Sequence, residues 1–192
     1  MRNRVILMCA LLAVFVGLLV LPPNPAAASK YERSMKKLTI PDVVLVNQEG
    51  KKVRLKTFLQ CDKPVVVDFI YATCTTICPV LSAGFANLQR KLGPDSENVR
   101  LVSISIDPEN DTPKAMAEYL KRYQAKPGWN FLTGTRTDIN NVMKAFDAYF
   151  PDKMSHLPLN FIHEPGQDNW TRLFGLISTR DFIKECQEAG IK

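Results

Sequence analysis

Cys74 and Cys78 are separated by three residues in YATCTTICP (71–79), and Pro79 follows the second at once. Two thiols at this spacing can serve as a reversible dithiol–disulfide pair, as half of a metal site or as a structural staple. Before them runs PVVVDFIY (64–71), apolar and β-branched, as a strand buried on both faces should be. After them Leu81, Phe85, Leu88 and Leu92 recur at helical spacing and stop at Gly93-Pro94. The thiols therefore sit between a buried strand and the start of a helix. Unpaired backbone N–H groups and the positive end of the helix dipole favour thiolate there, the form that attacks disulfides and binds metals. Zinc is the usual occupant of spaced cysteines, but the chain has no second pair. A soft, low-coordinate ion such as Cu(I) accepts two thiolates and one imidazole.

A third ligand has to come from one of two histidines. His156 lies in DKMSHLPLN, a loop ahead of a strand, and His163 lies in the strand LNFIHEP. A lone histidine is more often structural than a ligand, and His163 is read that way. For His156 the topology favours a site. Loops at the carboxyl ends of parallel strands converge, and a connection leading into an antiparallel neighbour starts at that same edge. Asp68 stands six residues before Cys74 in VVVDFIYATC. An acid in so dry a strand should have a raised pKa and could take the proton of a resolving thiol. A hydrogen-bonded core carboxyl is the bland alternative.

The elements that must position these residues alternate between strand and helix. DVVLVNQEGKKVRLKTF alternates about Glu49-Gly50 and predicts a hairpin. VRLVSISID (99–107) is a second buried strand. Asp111 or Thr112 caps a helix with Pro113 in its first turn and Met116, Tyr119, Leu120 and Tyr123 on its apolar face. NFLTG (130–134) is a short strand, and Thr137 or Asp138 opens a helix carrying Ile139, Val142, Met143, Phe146 and Tyr149 inward. LNFIHEPGQDNWTRLFGLIS (159–178) turns back at Pro165-Gly166, and Thr179 caps a last helix with Phe182, Ile183 and Cys186 on one face. This order predicts an α/β domain with an N-terminal β-hairpin extension and a central, mostly parallel sheet flanked by helices. Strand, thiol pair and helix in succession is the placement of the thioredoxin-like fold.

The first residues stand apart. Arg2 and Arg4, an uncharged run over residues 5–21 and small residues at Ala26, Ala27 and Ala28 predict an export signal over residues 1–28. As a helix the run would span ~25 Å, near the minimum for a bilayer, so an uncleaved N-terminal membrane anchor is the alternative. Either places the rest of the chain on the periplasmic side of the inner membrane. Residues 29–37, SKYERSMKK, read as a polar linker, with the domain over residues 38–192. From residue 29 onward 23 basic residues stand against 19 acidic ones, scattered and without a stripe between aromatics, so no nucleic acid partner is expected. An oxidising compartment demands a reason for each of Cys61, Cys74, Cys78 and Cys186. Cys186 reads as a buried inert thiol, with a Cys61–Cys186 disulfide as the alternative.

CTTICP after one buried strand, SIDPENDTP after the next, WNFLTG, and a histidine ahead of a strand and turn together resemble the Sco/SenC family. The likeness runs from about Leu38 to the C-terminus. It implies a thioredoxin-like, exported or membrane-anchored protein that binds copper, as Cu(I), Cu(II) or both, through Cys74, Cys78 and His156. It also implies service in assembling the binuclear copper centre of cytochrome c oxidase, as copper donor, thiol reductase or both, with an oxidase subunit or another cuproprotein as partner. The rival reading is an exported thiol–disulfide oxidoreductase acting on partner cysteines without obligatory copper. Cys74 or Cys78 is then the nucleophile, and Asp68 aids proton transfer. Asp107 and Asp111 fall in the family motif. They read as capping and turn residues, with a place facing the copper site as the alternative.

Overall fold

The computed structural model describes residues 31–192; the predicted signal or anchor over residues 1–28, with its apolar run, lies outside the described residues. No helix among the described residues is long and apolar enough to cross a membrane. In chain order the strands are β1 (Tyr31–Lys37), β2 (Val44–Asn47), β3 (Lys52–Arg54), β4 (Val65–Ile70), β5 (Arg100–Ser105), β6 (Trp129–Thr133), β7 (Leu159–His163) and β8 (Asn169–Gly175). The helices are α1 (Leu55–Leu59), α2 (Cys78–Leu92), α3 (Pro113–Arg122), α4 (Arg136–Ala145) and α5 (Thr179–Glu188). One sheet takes the order β1–β8–β7–β4–β5–β6–β2–β3. β4, β5 and β6 pair in parallel at its centre, and the flanking strands join antiparallel.

β4 is buried at all six positions because both of its faces are covered, which is why it reads as an unbroken apolar run. Its side chains alternate between two cores. Phe69 faces α4, where it meets Phe146 and Phe161 edge-on at 5.4 and 6.2 Å. Asp68 faces the opposite way, towards α2, in register with Ser103 on β5 and Asn160 on β7. On that side Phe85 of α2 packs against Trp129 and Phe182 at 5.4 and 6.0 Å. Phe146 is fully buried and touches three rings, since Phe161 and Trp170 lie 5.1 and 5.6 Å away. Phe146→Ala should therefore cost about 3–5 kcal/mol. Urea unfolding would show it as a lowered midpoint at unchanged slope, and a loss below ~0.5 kcal/mol, typical of a surface site, would contradict this packing.

Several boundaries differ from the sequence reading. Residues 31–37, read as linker, form edge strand β1 and pair with β8 from Tyr31–Gly175 to Lys37–Asn169. The charges at Arg33, Lys36 and Lys37, common on exposed edges, mask its strand character. β2 and β3 pair antiparallel, but β2 also pairs with β6 and so extends the main sheet. α4 is capped by Thr135, whose hydroxyl accepts the Asp138 N–H, and α5 by Ser178, which accepts from Asp181. In both cases adjacent hydroxyl or acidic residues offered equivalent caps in sequence. Tyr149, placed inward by periodicity, follows the end of α4 and is exposed.

Candidate metal centre

The parallel centre of the sheet delivers β4 and β5 to one edge, and the thiol loop leaves β4 there. Pro79 stands in the first turn of α2, and Ile77 at the cap position offers no side-chain acceptor. The Cys74 sulfur supplies one, taking the Cys78 N–H at 3.5 Å. The chain between α4 and β7 returns to the same edge through a short 3-10 turn, Lys153–Ser155, which ends at His156. Ligand atoms of Cys74, Cys78 and His156 all lie within 4.8 Å of one another, and all three residues are buried. Cys78 Sγ is 3.5 Å from His156 Nε2.

Protonation states follow from the contacts. His156 Nδ1 lies 2.8 Å from the Lys153 carbonyl, which can only accept, so Nδ1 carries the proton. Burial lowers the imidazole pKa, opposed in part by that hydrogen bond, so the ring is neutral and Nε2 presents its lone pair to Cys78. Burial raises the Cys78 thiol above its ordinary value, as does its hydrogen bond to the Cys74 sulfur, so it stays a thiol whose one proton goes to Cys74, with His156 Nε2 3.5 Å from its sulfur. Burial would raise Cys74 too. The Cys78 thiol and N–H and the Thr76 side chain and N–H outweigh it and lower Cys74 to about 6. One thiolate, one thiol and one neutral imidazole therefore share the pocket at pH 7.

Alkylation of the reduced protein should report this asymmetry. The rate at Cys74 should climb as pH rises towards about 6 and level off above it, because only the thiolate reacts. A single inflection near the free-cysteine value of ~8.5 would contradict the hydrogen-bonded thiolate.

Asp68 lies beneath α2 with neither carboxylate oxygen in a hydrogen bond of normal geometry. Burial raises its pKa to about 7, against a weaker lowering from Ser103, whose hydroxyl accepts the Trp129 indole N–H at 3.0 Å. The facing Asn160 amide is also unpartnered. His163 ends β7 opposite Val65, at the start of β4 and so away from the thiols. It stacks on Trp170 at 4.6 Å, and its Nε2 donates to the Gln167 carbonyl at 2.8 Å. Cys61 and Cys186 are both free thiols, Cys186 buried on α5. Thr112 caps α3, which releases Asp111 to accept the Ala72 N–H at 3.0 Å beside the thiol loop. Sequence reading did not single out Tyr71, Arg122 or Lys153. Each touches a ligand loop through backbone or ring contacts that no residue-type pattern encodes.

An open α/β sheet with two thiols and an imidazole gathered at the start of one helix defines a thioredoxin-like protein with a site that could hold a soft metal ion. Residues 32–168 match the SCO1/SenC family, and the chain belongs to that family. It is 38% identical over 105 residues to the SCO1 protein homolog of Bacillus subtilis, covering 53% of each chain. It is 34% identical over 106 residues to protein SenC of Rhodobacter capsulatus, covering 55% of this chain and 46% of that one. The matches thus span about half the length of these curated relatives. Among solved structures, BsSco, a Sco family member with a disulfide switch, superposes with a TM-score of 0.65 at 29% identity, over 80% of this chain and 94% of that one. Copper-bound ScoI of Bradyrhizobium japonicum gives 0.61 at 25% identity, over 79% and 99%.

Proposed function

We propose that this chain is an exported Sco protein that carries copper at Cys74, Cys78 and His156 and serves assembly of the copper centre of cytochrome c oxidase. The observation that carries the reading is the convergence of the three ligand atoms within 4.8 Å. Two sulfurs and one nitrogen suit Cu(I) by softness and by low coordination number, and copper in either oxidation state accepts imidazole. At neutral pH Cys74 and His156 already have the protonation a ligand needs. Loading therefore displaces one proton, from Cys78. Copper is cargo here, so the site must also release it. The partner is an oxidase subunit or another cuproprotein, met on the periplasmic side of the inner membrane, with residues 1–28 as signal or anchor.

The same thiols support a second activity, disulfide exchange, favoured by the unequal protonation of Cys74 and Cys78. The Cys74 thiolate attacks a partner disulfide, forming a mixed disulfide and releasing one partner thiolate. Cys78 gives up its proton, with the Asp68 carboxylate aiding the transfer through its charge, and attacks the Cys74 sulfur, closing the intramolecular disulfide and releasing the second partner thiolate. The partner gains two electrons and the dithiol loses two. An external dithiol must restore the reduced form.

Incubating the copper-loaded protein with an apo, reduced copper domain of an oxidase subunit discriminates between these roles. A carrier should pass on its ion and appear copper-free after separation. If copper stays put while the oxidised form of the same domain is reduced, the protein is a reductase and the carrier reading fails.

A further inference from the structure

Both ligand-bearing loops are fastened to one turn, the segment that follows β5. Asp107 and Asp111 are 3% and 1% exposed there, and each holds a different loop. Asp111 accepts the Ala72 N–H and the Ser105 hydroxyl, at 3.0 and 2.5 Å. The Ala72 carbonyl accepts from Arg122 at 3.1 Å, so both backbone polar groups two residues before Cys74 are held by side chains. Asp107 takes the Lys153 ammonium at 2.6 Å and is itself braced by the Asn110 amide at 3.0 Å.

Lys153 links that carboxylate to the imidazole. Its ammonium lies 5.3 Å over the Tyr71 ring, which meets the His156 ring edge-on at 5.5 Å. Its carbonyl accepts the His156 Nδ1–H. The turn it begins buries none of its residues, so apolar packing does not hold it. Met154 N–H, Ser155 N–H and the Ser155 hydroxyl all bond back to Asp152, which orders the turn without docking it. The turn's side chains reach the rest of the domain at Asp107, through Lys153, and at the Tyr71 hydroxyl, 3.3 Å from Met154 Sδ.

We propose that the Asp107–Lys153 ion pair is the positioning device for His156, docking its turn onto the sheet edge and so setting the distance from Nε2 to the two sulfurs. The proposal rests on the copper reading of the site. Asp107 is nearly dry and already oriented by Asn110, so the pair has a fixed geometry that an exposed ion pair lacks. Losing it leaves Cys74, Cys78 and their hydrogen bonds in place and undocks the turn that carries the imidazole, while Asp107 keeps Asn110 and, in Lys153→Met, Arg136 at 4.0 Å. The outer-shell partners of ligating histidines are worth about 10–100-fold in metal affinity, and the pair should fall in that range.

Cu(I) affinity by chelator competition, together with the dithiol–disulfide equilibrium constant against glutathione, should be measured for Lys153→Met, Lys153→Arg, Asp107→Asn and the Lys153→Met/Asp107→Asn double variant. Lys153→Met keeps the backbone carbonyl and the side-chain length, and the residue is partly exposed, so the fold should survive. Lys153→Met and Asp107→Asn should each weaken Cu(I) binding about tenfold or more, the double variant should be no worse than either, and Lys153→Arg should recover most of the loss. The thiol equilibrium should move less than about twofold, and Lys153→Met in a His156→Ala background should change nothing further. Wild-type affinity in Lys153→Met, with His156→Ala still impaired, would overturn the positioning role alone. Indifference of copper binding to His156→Ala itself would remove His156 from the site, and the proposal with it.

Discussion

His156→Ala should lower Cu(I) affinity by at least about a hundredfold while leaving the dithiol competent to cycle. Outer-shell partners of a ligating histidine are alone worth about 10–100-fold, so loss of the ligand belongs at or beyond the top of that range. The ring is neutral, with Nδ1 committed to Lys153 and Nε2 aimed at Cys78, and it does nothing else that the fold needs. Its contact with Tyr71 is a single edge-on pair at 5.5 Å, worth only ~1 kcal/mol, so the domain should stay folded. The low pKa of Cys74 rests on Cys78 and Thr76, not on the imidazole, so attack on disulfides should keep its pH dependence. Competition titration and alkylation of the same variant check both halves. Unchanged copper affinity would remove His156 from the site.

Cys78→Ser should trap a mixed disulfide at Cys74, whereas Cys74→Ser should form none at Cys78. Cys74 is the thiolate at neutral pH, and the buried Cys78 remains protonated, so only the first can attack and only the second can resolve. Resolution needs the Cys78 proton to leave, and Asp68, whose charge aids that transfer, lies under α2 with its pKa raised to about 7. As pH falls through that value the carboxylate is lost, so resolution should slow below neutrality while attack persists down to about 6. Asp68→Asn should slow resolution by about a hundredfold, the lower end of side-chain effects on proton transfer, and abolish its inflection near 7. Rapid-quench mass analysis with a small disulfide separates the two steps. Equal reactivity of the two serine variants, or normal resolution in Asp68→Asn, would contradict this order.

What could be read in advance depended on whether a residue's role is local. The buried run of β4, the helical period after Pro79 and the thiol pair between them are adjacent in sequence, so their joint placement was legible. His156 was preferred over His163 on topology; the fold puts His156 beside the thiols and His163 at the far end of β4. β1 was missed because its pairing with β8 joins segments more than a hundred residues apart, and its outward charges hide the alternation. Asp107 and Asp111 looked sufficiently explained by a turn. Only the fold shows that Thr112 does the capping and that both carboxylates hold ligand loops. Tertiary partners such as Lys153 carry no sequence signal of their own.

The most direct test is titration of the reduced protein with Cu(I), read by X-ray absorption and by the protons released near pH 7.5. The site requires one copper per chain bound to two sulfurs and one nitrogen, with about one proton released, from Cys78. A copper with sulfur ligands alone, or binding only between chains, would contradict it.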